Sequence, residues 1–323
     1  MGVLGMGTGK DAADLLMGIF DGYLLCTDCD GTLTDMESKL SDENIAAIRH
    51  FQEEGGLFTL ATGRYPKYVN RFEGQFYPNT YLIMGNGSTL LAPVIPEKDR
   101  EKVKGIVSPS YEDPVLIEEI VFSCLPREEI LFMTGTCGCS LMFTDLRNRS
   151  ESWMTAEGDA FWNNVFQETE HDLDRWMSRI DKRYQEWKTR PDDVDKMDLP
   201  HKVIFVFETE EMTLRAKERA RKQFPDRTFE RSWPCGLELL PPGSGKGGAV
   251  QRLREILARE GRPVKKVICA GDYENDASML REANIGYATA NATKECLAAA
   301  DRITVSCDEH AIAVIIRELE EKS

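Results

Sequence analysis

YLLCTDCDGT, residues 23–32, is an apolar run that breaks into two aspartates, Asp28 and Asp30, with Gly31 and Thr32 behind them. The run reads as a strand and the acids as the loop at its carboxyl end. Two carboxylates two positions apart, with a glycine that allows close backbone approach, suit nucleophile and proton-shuttle roles. The competing reading is an Asp-rich turn that caps the strand for local reasons. Downstream, Ser41 reads as an N-cap, and Ile45, Ile48 and Phe51 keep an apolar stripe on the helix after it. A strand (LFTLA, 57–61), a loop (TGRY, 62–65), a helix and a strand (YLIM, 81–84) follow. This alternation predicts an α/β fold with a doubly wound parallel sheet, whose ligands bind beyond the carboxyl ends of the strands.

The pattern changes after Gly87. Proline, acidic runs and aromatics become denser, and all five tryptophans (Trp153, Trp162, Trp176, Trp187, Trp233) lie between there and Cys235. Residues 88–241 read as an inserted α+β domain, with a strand at 203–207 (VIFVF) and a helix at 212–224. The alternation resumes at Lys246 with a helix to about Glu260, the strand KVICA (266–270), the loop GDYEND (271–276), IGYATA (285–290) and a last helix from Asp308. The expected organisation is a Rossmann-like core from residues 1–87 and 242–323, interrupted by the insertion.

Three further loops carry candidate chemistry. Thr62-Gly63-Arg64 offers a hydroxyl and backbone N–H groups to a phosphate, or simply a cap and turn. Gly243-Ser244-Gly245-Lys246-Gly247 puts a lysine at a glycine-lined helix start, either to neutralise phosphate and nucleophile or as an exposed loop residue. Asp272, Glu274, Asn275 and Asp276 follow an apolar strand, and buried carboxylates are costly unless paired or bound to a metal. Mg²⁺ is the natural partner, since it prefers carboxylate and carbonyl oxygens, waters and phosphate.

In this order DCDGT, TGR, the lone Lys246 and GDYEND resemble the haloacid dehalogenase superfamily of phosphatases. Asn86-Gly87-Ser88, EANIGYATANAT (282–293) and DEHAIAVII (308–316) resemble its Cof-type branch, subfamily IIB. The resemblance covers about 20–87 and 236–323, and the insertion's place implies a C2-type cap over the site. It implies that Asp28 attacks phosphorus and forms an aspartyl-phosphate. Asp28 stays ionised beside Mg²⁺, while Asp30 holds a proton for the leaving alcohol and later deprotonates water. Thr62 and Lys246 grip the phosphoryl group, and Gly63 and Arg64 join the substrate loop. Asp28, Asp272 and the Asp30 carbonyl hold Mg²⁺, while Asn275 and Asp276 position phosphate, Lys246 or a metal-bound water. The substrate is a small phosphorylated metabolite such as a sugar phosphate. The rivals are a phosphomutase on the same scaffold and a catalytically silent metabolite-binding protein, the latter opposed by the presence of Asp30, Lys246 and Asp272. Cys29, where a bulkier apolar residue is usual, is expected to pack as a small hydrophobe.

With 323 residues, 41% apolar and 29% charged, the chain is long enough for two domains. A net charge of −15 opposes nucleic acid and anionic membranes as partners. The glycine-rich start GMGTGK (5–10) fails as a phosphate loop, because Leu4 and Asp11 stand where Gly and Ser or Thr are required, and it reads as a leader. Cys137-Gly-Cys139 lacks structural-zinc spacing, and PDDVDKMD (191–198) lacks the glycine and closing glutamate of a calcium loop. With no secretion signal and no membrane-length apolar run, the expectation is a cytoplasmic protein, monomeric or a small homo-oligomer, with reduced thiols.

Overall fold

The computed structural model describes residues 18–64, 66–145, 150–154, 187–189 and 197–322. The leader, residues 191–196 of the acidic stretch, Trp162 and Trp176, and the side chains of Trp153 and Trp187 lie outside the described residues.

β1 (Tyr23–Thr27) runs into the Asp28 loop, and α1 (Asp42–Glu53) follows. Ser41 caps α1 by accepting the Asn44 N–H at 3.2 Å. Then come β2 (Leu57–Leu60), a one-turn helix Pro66–Val69, β3 (Leu82–Met84), β4 (Thr89–Leu91) and β5 (Leu116–Glu119). The insertion supplies β6 (Leu141–Asp145), β7 (Ser150–Met154), β8 (Trp187–Thr189), β9 (Lys202–Val206), α2 (Glu210–Gln223), β10 (Thr228–Trp233) and β11 (Gly236–Leu240). The core resumes with α3 (Lys246–Arg259), β12 (Lys266–Gly271), α4 (Ala277–Glu282), β13 (Ile285–Ala288), β14 (Arg302–Ile303) and α5 (Ala311–Glu320).

The core sheet is parallel throughout, in the order β14-β13-β12-β1-β2, so both ends of the chain build it. Its strands read as continuous apolar runs because helices cover both faces. Leu25, Phe58 and Ile268 pack with Ile48 and Phe51 of α1 and Ile312 and Ile315 of α5. Leu24, Cys26, Val267 and Cys269 meet Val250, Leu253 and Leu257 of α3 and Met279 of α4. β4 pairs with β3 and β5 with β4, and Leu90 and Ala92 join this second cluster, so residues 89–119 lie against the core and not with the six-stranded sheet of the insertion.

The second sheet is six-stranded, β10-β11-β9-β6-β7-β8. One face, carrying Val203, Phe205, Phe229, Leu237 and Leu239, packs on Ala216 and Ala220 of α2. Period-2 alternation turns Lys202, Ile204, Glu230 and Glu238 to the opposite face. That face meets the core: Lys202 Nζ donates to the Gly63 carbonyl at 3.0 Å, and Glu238 Oε2 accepts the Asn86 amide at 2.6 Å. All nine cysteines are free thiols. Among the described residues no helix is long and apolar enough to cross a membrane.

Candidate active site

The strand order places β1 beside β12 in register, Thr27 opposite Ala270, so the loops after them open at the same edge of the sheet. The Asp28 N–H donates to the Ala270 carbonyl at 2.9 Å, tying the two loops together. Asp28, Asp272 and Asp276 each turn one carboxylate oxygen into a space where all three oxygens lie within 4.8 Å of one another. Lys246 enters from the start of α3, where Gly245 at φ +105° is the N-cap, and is fully buried. Its Nζ donates to Asp28 Oδ1 and to Asp276 Oδ1, both at 2.5 Å.

Three carboxylates face one ammonium in a crevice largely closed to water. Burial pushes the Asp28 carboxyl up to about 7; Lys246 opposes the shift and Asp276 adds to it. Burial and the charges of Asp28 and Asp276 push Asp272 well above the usual carboxylate range. The other Asp276 oxygen accepts the N–H groups of Asp272 and Tyr273 at 3.0 Å, so both of its oxygens are committed. Asp272 Oδ1 accepts the Thr32 hydroxyl at 2.8 Å. Asp28 and Asp272 therefore each keep one oxygen outside these hydrogen bonds among the described residues. Surplus negative charge on hard oxygen donors fits a divalent cation of the Mg²⁺ type, with Asp276 orienting the lysine and the loop.

Asp30 is held differently. Arg64 Nε donates to Oδ2 at 3.0 Å, the Tyr68 hydroxyl donates to Oδ1, and Arg71 Nη2 lies 3.7 Å away. Burial pushes this carboxyl up, but the Arg64 charge, the hydrogen bonds from Tyr68 and Arg64, and Arg71 outweigh it and leave it below the usual range. On the protein's own groups, the acidities are the reverse of the expected division of labour. The Arg64–Tyr68 clamp favours the charged form of Asp30.

Thr62 lies in the loop just past β2, with its Oγ1 accepting the Arg64 N–H at 3.1 Å, and the adjacent Gly63 carbonyl takes Lys202. Asn275, buried, donates to Asn86 Oδ1 at 3.0 Å. The structure thus brings Asp28, Asp30, Thr62, Gly63, Lys246, Asp272, Asn275 and Asp276 to one end of the sheet. It turns the Arg64 guanidinium onto Asp30 and the Tyr68 ring, 4.6 Å from the centroid. Cys29 is fully buried in the core, and burial with the charges of Asp30 and Asp28 pushes its thiol well up, which matches a packing residue.

Sequence reasoning missed Tyr68 and Arg71, whose Arg–aromatic stack (3.9 Å) braces the Asp30 clamp, and the Thr32 anchor of Asp272. It also missed Lys202 and Glu238, although a glutamate at the centre of the apolar strand GLELL was a visible signal.

Gly31 is a close-approach position. At φ +79° a Cβ there would stand 2.6 Å from Asp272 Oδ2. Gly31→Ala should push Asp272 aside and raise the Mg²⁺ concentration for half-maximal activity about tenfold or more, the usual scale for disturbing a metal's supporting groups. A Mg²⁺ titration of activity checks this, and an unchanged midpoint would remove Asp272 from the metal site.

A parallel α/β core with carboxylates, a lysine and a threonine gathered at its carboxyl edge defines a phosphoryl-transfer hydrolase. The chain belongs to the haloacid dehalogenase-like hydrolase family, whose model matches residues 25–316, and it is a phosphatase of the Cof type. It is 25% identical over 299 residues to the putative phosphatase YxeH of Bacillus subtilis, covering 92% of this chain and 97% of the relative. It is also 25% identical over 297 residues to the 5-amino-6-(5-phospho-D-ribitylamino)uracil phosphatase YcsE of the same organism, covering 91% and 94%. Among solved structures, a haloacid dehalogenase-like hydrolase from B. subtilis shares the fold with a TM-score of 0.66 at 21% identity, covering 92% of this chain and 99% of that one. The subclass IIB sugar phosphatase BT4131 does so at 0.64 and 20%, covering 92% and 99%.

Proposed function

We propose that this phosphatase hydrolyses a small phosphomonoester, a sugar or polyol phosphate, with Mg²⁺ and through an aspartyl-phosphate on Asp28. The observation that carries the reading is the buried grouping of Asp28, Asp272 and Asp276 around Lys246. Asp28 and Asp272, with the Asp30 carbonyl, would hold the cation, which supplies charge neutralisation for an incoming phosphate. Asp28 attacks phosphorus in line, the P–O bond to the organic group breaks, and Asp30, protonated once substrate entry loosens its hold by Arg64 and Tyr68, gives that proton to the leaving oxygen. Asp30 then takes a proton from the water that opens the acyl-phosphate, freeing inorganic phosphate and regenerating Asp28. Thr62 and Lys246 meet the phosphoryl oxygens and spread their charge, with Gly63, Arg64 and Asn275 shaping the same loops. Residues 120–241, the part of the insertion beyond β5, act as the cap that selects the organic group. The names of the ribityl-phosphate and sugar phosphatase relatives support a hydroxylated ester as substrate.

Hydrolysis of sugar, polyol and aryl phosphates, with MgCl₂ or with EDTA, tests the reading. Turnover should need the metal, with EDTA lowering it by at least about a hundredfold, given the several kcal/mol a metal contributes to such transition states. Equal rates in EDTA would sink the metal assignment.

A further inference from the structure

The face of the second sheet that meets the core carries a carboxyl with no described task. Glu230 on β10 stands directly across from Glu238 on β11. Glu238 is fully engaged: Oε2 accepts from Asn86 and from Lys202 Nζ at 3.0 Å, and Oε1 accepts from the Ser232 hydroxyl. Glu230 is not. Its Oε2 is cut off from solvent and has no hydrogen-bond partner among the described residues. Its Oε1 lies 3.8 Å from where a Cβ on Gly245 would stand, one residue before Lys246. The carboxyl therefore overhangs the floor on which Lys246 holds Asp28 and Asp276, and it feels the charges of Lys246 and Asp276.

Glu230 as a residue is half-buried, but a buried carboxyl oxygen without a partner costs free energy, so it calls for an explanation. Burial and the Glu238 charge push Glu230 up to about 8, so at neutral pH it is mostly protonated and offers both an acceptor and a donor. A phosphate has no use for such a group. A hydroxyl on the ester's organic part does, because it can give and take a hydrogen bond at once.

We infer that Glu230 is a specificity-determining residue that hydrogen-bonds a hydroxyl of the substrate's organic group, selecting hydroxylated phosphate esters over alkyl ones. This rests on the phosphatase reading of the same site. The hydroxyl meets the carboxyl from its open side, where Oε1 faces Gly245, and an ester without it leaves that side unpaired.

The test is the ratio of kcat/KM for ribitol 5-phosphate to that for pentyl phosphate, measured with MgCl₂ in the wild type, Glu230→Gln and Glu230→Leu. The wild type should favour the ribitol ester by about ten- to a hundredfold, the scale of one hydrogen bond to a buried acidic group. Glu230→Gln, which keeps the shape and a carbonyl acceptor, should retain most of that ratio, and Glu230→Leu should bring it close to one by losing turnover of the ribitol ester. A ratio unchanged in Glu230→Leu, or both esters falling alike in both variants, overturns the inference and leaves Glu230 a structural residue. No turnover of either ester by the wild type overturns the phosphatase reading for this substrate class, and the inference with it.

Discussion

Asp28→Asn is expected to lower kcat on small phosphate esters by on the order of 10⁴-fold, the scale seen when a nucleophile is removed from a site that otherwise survives. The amide keeps nearly the same shape and can still present an oxygen to Lys246 Nζ, so the crevice should hold its geometry. It cannot attack phosphorus, and it removes one of three crowded carboxylates. Folding stability should therefore stay level or rise slightly even as activity vanishes. That pairing separates loss of chemistry from loss of structure. The measurement is kcat on an aryl phosphate with saturating MgCl₂, alongside a urea unfolding curve. Retention of more than about a hundredth of the wild-type rate, well above the residue left when nucleophiles are removed, would move the covalent step away from Asp28.

The core was legible because three signals agreed at each loop: an apolar run, a glycine and a charged group at the strand's end. YLLCT, LFTLA and KVICA are strands in the structure, allowing for a residue at the ends, and each delivers its acids or hydroxyl to the same edge. The boundary at Lys246 was legible for a related reason, since Gly245 needs its positive φ to start α3 there. The Asp30 clamp was not legible. Arg64, Tyr68 and Arg71 converge on one carboxylate only because the segment after β2 folds into a short helix, and four helical residues leave too little periodicity to read. The charged roof was hidden differently. Glu230, Glu238 and Lys202 lie on three strands and become neighbours only through antiparallel register, which a single sequence does not disclose. The partial charge balance at Asp28 also lay beyond spacing arguments, because it depends on how far each oxygen stands from Lys246.

Lys246→Met should cost more stability than any other single change in the crevice. Lys246 is fully buried and stands between Asp28 and Asp276, so the substitution keeps the chain length and packing while removing the only cation among the described residues that touches both. Breaking a buried pair from one side leaves uncompensated charge and typically costs about 3–5 kcal/mol. The carboxylates can answer by taking up protons, which sets that range as the upper end at neutral pH. Two further measurements separate this electrostatic account from a simple packing defect. Adding Asp28→Asn to Lys246→Met should return about 1–3 kcal/mol, the coupling expected of residues in direct contact. MgCl₂ should shift the urea midpoint of Lys246→Met upward by more than that of the wild type, because a bound cation then supplies the neutralisation the lysine gave. A Lys246→Met variant as stable as the wild type, or one that neither the second substitution nor the cation restores, would show that the three carboxylates do not need Lys246 to share one crevice.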